Sequence, residues 1–174
     1  YISTADRSGT GLTPPLIVQL RAIPGVAFVA PSRMATIETQ FGPIRTIATT
    51  PAEGKSSLPI KQGVDNALIL FNQGKGVMIS EPLAYHQQLT PGDTITVMTD
   101  TGSKSLSVLG VYYDFTSSTG MITLPMSMYR QWWSDYGIST VSIYRQTNTN
   151  QAKLLEAVRG VLKDQGEQIQ VSSN

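Results

Sequence analysis

Apolar positions in this chain follow two patterns: runs at helical spacing, and short runs or alternations bounded by Gly, Pro, Asn and Asp. Over residues 150–163, Leu154, Leu155, Val158, Val161 and Leu162 recur at i, i+1, i+4, i+7 and i+8, a stripe that turns one face of a helix toward a core. Thr149 or Asn150 caps its start, Gly166 stops it, and 168–171 reads as a strand. Residues 13–23 repeat the plan: a helix opened by Pro14-Pro15, a stop at Pro24-Gly25, and the strand 26–30. Strand-like text precedes each helix, at 1–4 and in the alternation 139–144. Two βαβ units result. Combined as a split pair they predict a ferredoxin-like, porter-like sheet with both helices on one face. Its first and last strands are antiparallel neighbours, so residues 1 and 174 are expected at one end of the sheet.

Between the two halves lies a second pattern, mostly β with short helices. A hairpin is expected over 35–47, turning at Gly42-Pro43, with Phe41 at its tip and a polar loop after it at 50–63. The densest signal is Gly76-Val77-Met78-Ile79-Ser80-Glu81-Pro82-Leu83-Ala84, closed by Pro91-Gly92-Asp93-Thr94-Ile95-Thr96-Val97. It predicts a strand, a short helix capped by Ser80, a turn and another strand. The segment 104–115 returns as a partner strand, 120–124 as one more, and 125–135 as a helix with Met126, Tyr129 and Trp133 on one side. The expected fold is α+β, in two lobes. Residues 1–32 with 138–174 form the split βαβ lobe, and 33–137 the inserted, mostly β lobe.

Composition narrows the function classes. With 174 residues and 40% hydrophobic content, the chain can bury a core and is too apolar for disorder. No run approaches the roughly 18 apolar residues of a membrane helix. The start without Met and without a leader reads as a segment of a longer chain. Net charge is +1, with basic residues scattered singly, which argues against a nucleic-acid partner. Charged residues make up only 14%, with Ser, Thr and Gln in their place, a lean toward the extracytoplasmic side. The absence of Cys excludes disulfides and thiolate chemistry.

Candidate chemistry is sparse. His86 stands between Ser80 and Asp93, yet no Gly-x-Ser-x-Gly turn surrounds Ser80, so a lone surface histidine is the better reading. One His and no Cys leave no metal set, and Asp93, Asp100 and Asp114 lack calcium-loop spacing. Gly74-Lys75-Gly76 lacks the phosphate-loop spacing. No catalytic residue, cofactor or metal is expected. The aromatics Tyr112-Tyr113, Phe115 and Trp132-Trp133 gather in the text around the loop 116–119. Adjacent residues face apart, so one ring of each pair leaves the core stripe. It either packs under a neighbouring loop or forms a contact surface for a substrate, a partner or the membrane interface. Phe41, Tyr113, Phe115 and Trp132 are the candidate contact residues.

Three landmarks carry a family resemblance. They are Leu20-Arg21-Ala22-Ile23-Pro24-Gly25-Val26-Ala27-Phe28-Val29-Ala30-Pro31, the block from Gly76 through Gly92-Asp93-Thr94-Ile95, and Val108-Leu109-Gly110-Val111-Tyr112-Tyr113-Asp114-Phe115 leading to Tyr129-Arg130-Gln131-Trp132-Trp133. In this order they resemble the periplasmic domain of MacB-like and FtsX-like ABC transporter permeases, with Ser-Glu-Pro-Leu-Ala closest in style to the lipoprotein-releasing group. The resemblance implies a non-catalytic domain outside the bacterial inner membrane. It would couple the motion of membrane helices, driven by ATP binding in a separate ATPase subunit, to export or extraction of a substrate. It implies as partners the transmembrane part of the same permease and that ATPase, with lipid, lipoprotein or a periplasmic protein as further classes and a dimer or pseudo-dimer in the full transporter. Hinge or shear motion is expected near Pro31-Ser32 and Gly137-Ile138. The alternative is a lipid- or lipoprotein-binding module with a groove between the lobes.

Overall fold

The computed structural model describes residues 2–4, 12–51, 58–115, 117–163 and 169–171, the first and last of these as backbone only. In chain order the elements are β1 (Ile2–Thr4), α1 (Pro14–Arg21), β2 (Val26–Thr39), β3 (Gly42–Thr49), β4 (Ile60–Gly63), α2 (Ala67–Asn72), β5 (Val77–Ser80), α3 (Glu81–Gln87), β6 (Thr94–Thr99), β7 (Gly102–Tyr112), β8 (Ile122–Pro125), α4 (Met126–Trp132), β9 (Thr140–Arg145), α5 (Gln151–Leu162) and β10 (Ile169–Val171). The fold is α+β. It divides into two units, Tyr1–Arg33 with Gly137–Asn174, and Met34–Tyr136, with one boundary inside β2.

In the first unit the strand order is β10-β1-β9-β2, and every neighbouring pair is antiparallel. This is the ferredoxin-like split βαβ arrangement. Ile2 stands opposite Val171, so the first and last strands are neighbours; residues 1, 166, 168 and 174 lie outside the described set. Pro14 and Pro15 open α1, where their missing N–H groups cost nothing. Asn150 caps α5, its side-chain oxygen accepting from the amides of Ala152 at 2.9 Å and Lys153 at 3.3 Å. Leu16, Ile17 and Leu20 of α1 meet Leu154, Val158 and Leu162 of α5 over Val29 and Val141. The stripe on α5 is therefore narrower than its text suggests: Leu155 is only half-buried, and Val161 sits at the edge of the cluster.

In the second unit the order is β3-β8-β5-β7-β4, with β6 on β7. The pairs β3/β8 and β5/β7 are parallel, while β5/β8, β4/β7 and β6/β7 are antiparallel. All four residues of β5 and all four of β8 are buried, as expected of central strands covered on both faces. The main cluster holds Ile79, Leu83, Ile95, Val97, Val108, Ile122, Leu124 and Tyr129. A smaller one, Ala67, Phe71, Met78, Leu109 and Tyr112, packs α2 against β7.

Three local readings are corrected by the structure. Ser80 occupies the N-cap position of α3, but its hydroxyl makes no cap bond; it accepts from the Met121 amide at 2.8 Å, a tie to the neighbouring loop. The polar segment 50–63 contributes β4, while residues 52–57 are outside the described set. The returning strand stops at Tyr112: the Tyr113 amide still donates to the Pro59 carbonyl at 2.9 Å, in register with the Ile60–Tyr112 pair, but proline has no N–H to return a bond. By contrast, the Pro-Gly-Asp turn acts as its text requires. Gly92 takes a φ of +102°, open to glycine at little cost. The Asp93 carboxylate accepts from the Thr90 amide at 2.8 Å, and the Asp93 carbonyl accepts from the Val108 amide at 2.8 Å. The turn is thereby fastened to β7.

Candidate functional site

The aromatic residues adjacent in sequence lie at two places in the second unit. Tyr112 is buried at 6% exposure, and the Thr123 hydroxyl donates to its oxygen at 3.1 Å. Burial pushes the Tyr112 phenol above its ordinary value, a nearby Asp114 adds to the rise, and the Thr123 hydrogen bond opposes it. Tyr113, one residue on, faces out at 39% and Phe115 at 90%. Their rings lie parallel, 6.2 Å between centroids. The Lys61 ammonium sits 5.6 Å from the Tyr113 ring centroid, close enough for a cation–π contact. Lys61 also pairs with Glu81 of α3, and that hydrogen bond, with the Glu81 charge behind it, holds the ammonium above its ordinary value against a smaller effect of burial. This surface joins β4, α3 and the segment after β7.

Trp132 and Trp133 belong to the other place. Both are half-buried against the main cluster, with ring centroids 6.1 Å apart. The Lys104 ammonium lies 5.6 Å from the Trp132 ring centroid. The Trp133 indole N–H donates to the Met98 carbonyl at 3.1 Å, and the Ser134 amide to the Asp100 carboxylate at 2.6 Å. These bonds tie the end of α4 to the β6–β7 hairpin. Lys104 and Tyr112 stand at opposite ends of β7, roughly 25 Å apart at about 3.3 Å per residue. The structure thus separates Trp132 from Tyr113 and Phe115. Phe41 lies with the Trp132 group: its hairpin tip is fastened to β6 by the Gln40 amide on the Thr96 carbonyl at 2.9 Å, and its ring packs half-buried on the same cluster. Lys61 and Lys104 were not singled out in the sequence. They leave no local signal: the aromatics nearest to them in sequence, Phe71 and Tyr112, are ten and eight positions away.

The geometry around His86 is that of a surface helix. Ser80 is fully buried with its hydroxyl engaged by Met121, and Asp93 is engaged by both the amide and the hydroxyl of Thr90. His86 is exposed beside the Tyr85 ring. Among the described residues no group of three or more His, Cys, Asp or Glu could hold a metal ion, and no helix is long and apolar enough to cross a membrane.

The overall fold is shared with known proteins. The model of the MacB-like periplasmic core domain matches residues 1–161. The chain belongs to this family. It is an extracytoplasmic domain of the ABC transporter permease type. An uncharacterized ABC transporter permease protein of Mycobacterium tuberculosis is 37% identical over 90 residues, 51% of this chain and 10% of that relative. The chain therefore matches only a small part of that relative's length. The extracellular domain of the noncanonic ABC-type transporter YknZ from Gram-positive bacteria superposes with a TM-score of 0.66 at 18% identity, over 95% of this chain and 92% of that one. The periplasmic region of MacB from Actinobacillus actinomycetemcomitans gives 0.67 at 16% identity, over 97% and 86%. A domain of a permease protein from Porphyromonas gingivalis gives 0.57 at 17%, over 95% and 83%. These likenesses establish the fold.

Proposed function

We propose that this domain performs no chemistry and transmits motion: it couples movement of the permease's membrane helices, driven by ATP binding in a separate ATPase subunit, to export or extraction of a substrate. The observation that carries the reading is the antiparallel pairing of β1 with β10, Ile2 opposite Val171. A domain hung between two membrane helices needs both attachments at one end of one sheet, and this pairing supplies them. Family membership supports the same reading. Its non-catalytic part rests on Ser80 and Asp93, whose side chains are already committed to Met121 and Thr90. Conformational work of this kind requires that two states of the permease differ in the position of this domain.

The test uses the intact permease with its ATPase in lipid bilayers. A fluorophore at the exposed Lys153 of α5, read against a quencher on the lipid headgroups, reports the distance of the split βαβ unit from the membrane. Quenching should change when ATP binds and return after hydrolysis, in step with transport. Transport that proceeds while quenching stays constant would overturn the proposal, as would ester or nucleotide turnover by the isolated chain that disappears with His86→Ala.

A further inference from the structure

We infer that Met98 is a reversible oxidation site, a methionine that hydroperoxides convert to the sulfoxide in the folded protein. The observation behind this is an exception in the pattern of the β6–β7 hairpin. β6 alternates strictly, with Ile95 and Val97 buried and Thr94, Thr96 and Met98 exposed. Across the ladder the outward pairs are Thr94 with Ser107, Thr96 with Ser105 and Met98 with Ser103. Five of these six positions carry hydroxyls and all six are exposed. Met98 is the single apolar side chain on that face, at 53% exposure. Of the chain's 6 methionines, Met78, Met126 and Met128 are at most 6% exposed, and Met34 and Met121 are half-buried.

The thioether is presented, and its surroundings suit the product. Sulfur reacts by placing a lone pair on one oxygen of the hydroperoxide. The S–O bond forms as the O–O bond breaks, the sulfur loses two electrons, and the proton of the transferred oxygen passes to the departing oxygen, which leaves as water or alcohol. Approach to Met98 needs no opening of the fold, because its side chain is on the solvent side. The Ser103 hydroxyl donates to the sulfur at 3.0 Å; a sulfoxide oxygen is a far stronger acceptor, and the same hydroxyl can turn to it. Oxidation converts the one apolar position of a hydroxyl-lined face into a polar one while leaving the buried face of β6 untouched. An exposed sulfoxide is also within reach of methionine sulfoxide reductases, which makes the change reversible.

The experiment is dilute hydrogen peroxide on the folded chain, with oxidation at each methionine followed by peptide mass spectrometry. Met98 should react at least about 10-fold faster than the five others, and the difference should vanish in denaturant, where all are equally open. A Met98→Leu variant should lose the fast phase and keep the circular dichroism of the parent. Treatment of the oxidised, folded protein with methionine sulfoxide reductases should restore the parent mass. The inference fails if Met34 or Met121 reacts as fast as Met98, if the fast phase survives Met98→Leu, or if the reductases restore the mass only after unfolding.

Discussion

Leu154 and Leu155 are neighbours on α5, identical in chemistry and helix propensity, yet the structure assigns them different environments: 9% exposed for Leu154 and half-buried for Leu155. Replacing either by Ala removes the same three carbons. At Leu154 those carbons leave a packed cluster of Leu16, Leu20, Val141 and Val158, so the transfer loss of roughly 0.8 kcal/mol per carbon is joined by a cavity cost, and about 3 kcal/mol is expected. At Leu155 half of the transfer loss is already absent and solvent fills the space, so about 1 kcal/mol is expected. Because the helix propensity change is the same in both variants, it cancels from the comparison.

The measurement is denaturant unfolding followed by circular dichroism, supported by hydrogen exchange of the α5 amides. Both tryptophans, Trp132 and Trp133, lie in the other unit, so their fluorescence gives a separate record of that unit and shows whether the transition is shared. Equal losses at the two leucines, or a larger loss at Leu155, would mean that the buried face of α5 is rotated from Leu154, Val158 and Leu162, and the packing described here would be wrong.

Gly120→Ala should destabilise by about 1 to 3 kcal/mol or more, since Gly120 has a φ of +88° and an added Cβ would stand 2.7 Å from the Leu83 amide nitrogen; a melting temperature unchanged from the parent would contradict it. Burial raises the Tyr112 phenol above its ordinary value of 10.0, so above that pH the unfolded chain releases a proton that the folded chain retains, and stability, intact below it, should fall as pH rises; a Tyr112→Phe variant should lose part of that slope, and an identical slope would refute the assignment. Phe115→Ser should change stability by less than about 0.5 kcal/mol and Trp132→Ser should cost about 1 to 2, and their sum should match the double variant because the two rings sit at opposite ends of β7. If either surface is a working contact in the intact transporter, export should fall with its substitution while ATP hydrolysis persists; unchanged export in both variants would remove them as contacts.

The elements legible in the sequence are those whose signals are local. The Asn150 cap, the Pro14-Pro15 opening and the Gly92-Asp93 turn each satisfy a main-chain requirement with the residue that names it. The order of the split βαβ unit follows from two such helices, each between strand signals. The helix α2 left no comparable mark: it starts at Asn66 in the left-handed region with no side-chain cap, and six apolar-rich residues suit a strand equally well. The strand β4 shows no alternation, since Lys61, Gln62 and Gly63 are all exposed, and its pairing with β7 brings together segments about fifty positions apart, which no local pattern encodes.

The aromatic pairs show where local reasoning stops being sufficient. For Tyr112-Tyr113, facing apart on a strand is the right principle, but which ring goes in is set by tertiary packing: Tyr112 joins Ala67, Phe71, Met78 and Leu109 in a cluster between α2 and β7. For Trp132-Trp133, the helical angle between neighbours does not apply, because α4 ends at Trp132 and Trp133 has an extended backbone, φ −124° and ψ +128°. Freed from the helix, the second indole reaches the Met98 carbonyl while the first lies beneath Lys104, and both can stay against the core. Closeness in sequence suggests one surface. The long strand β7 makes it two, since it carries Lys104 near one end and Tyr112 at the other, and a contact role for one end is therefore no argument for a role at the other.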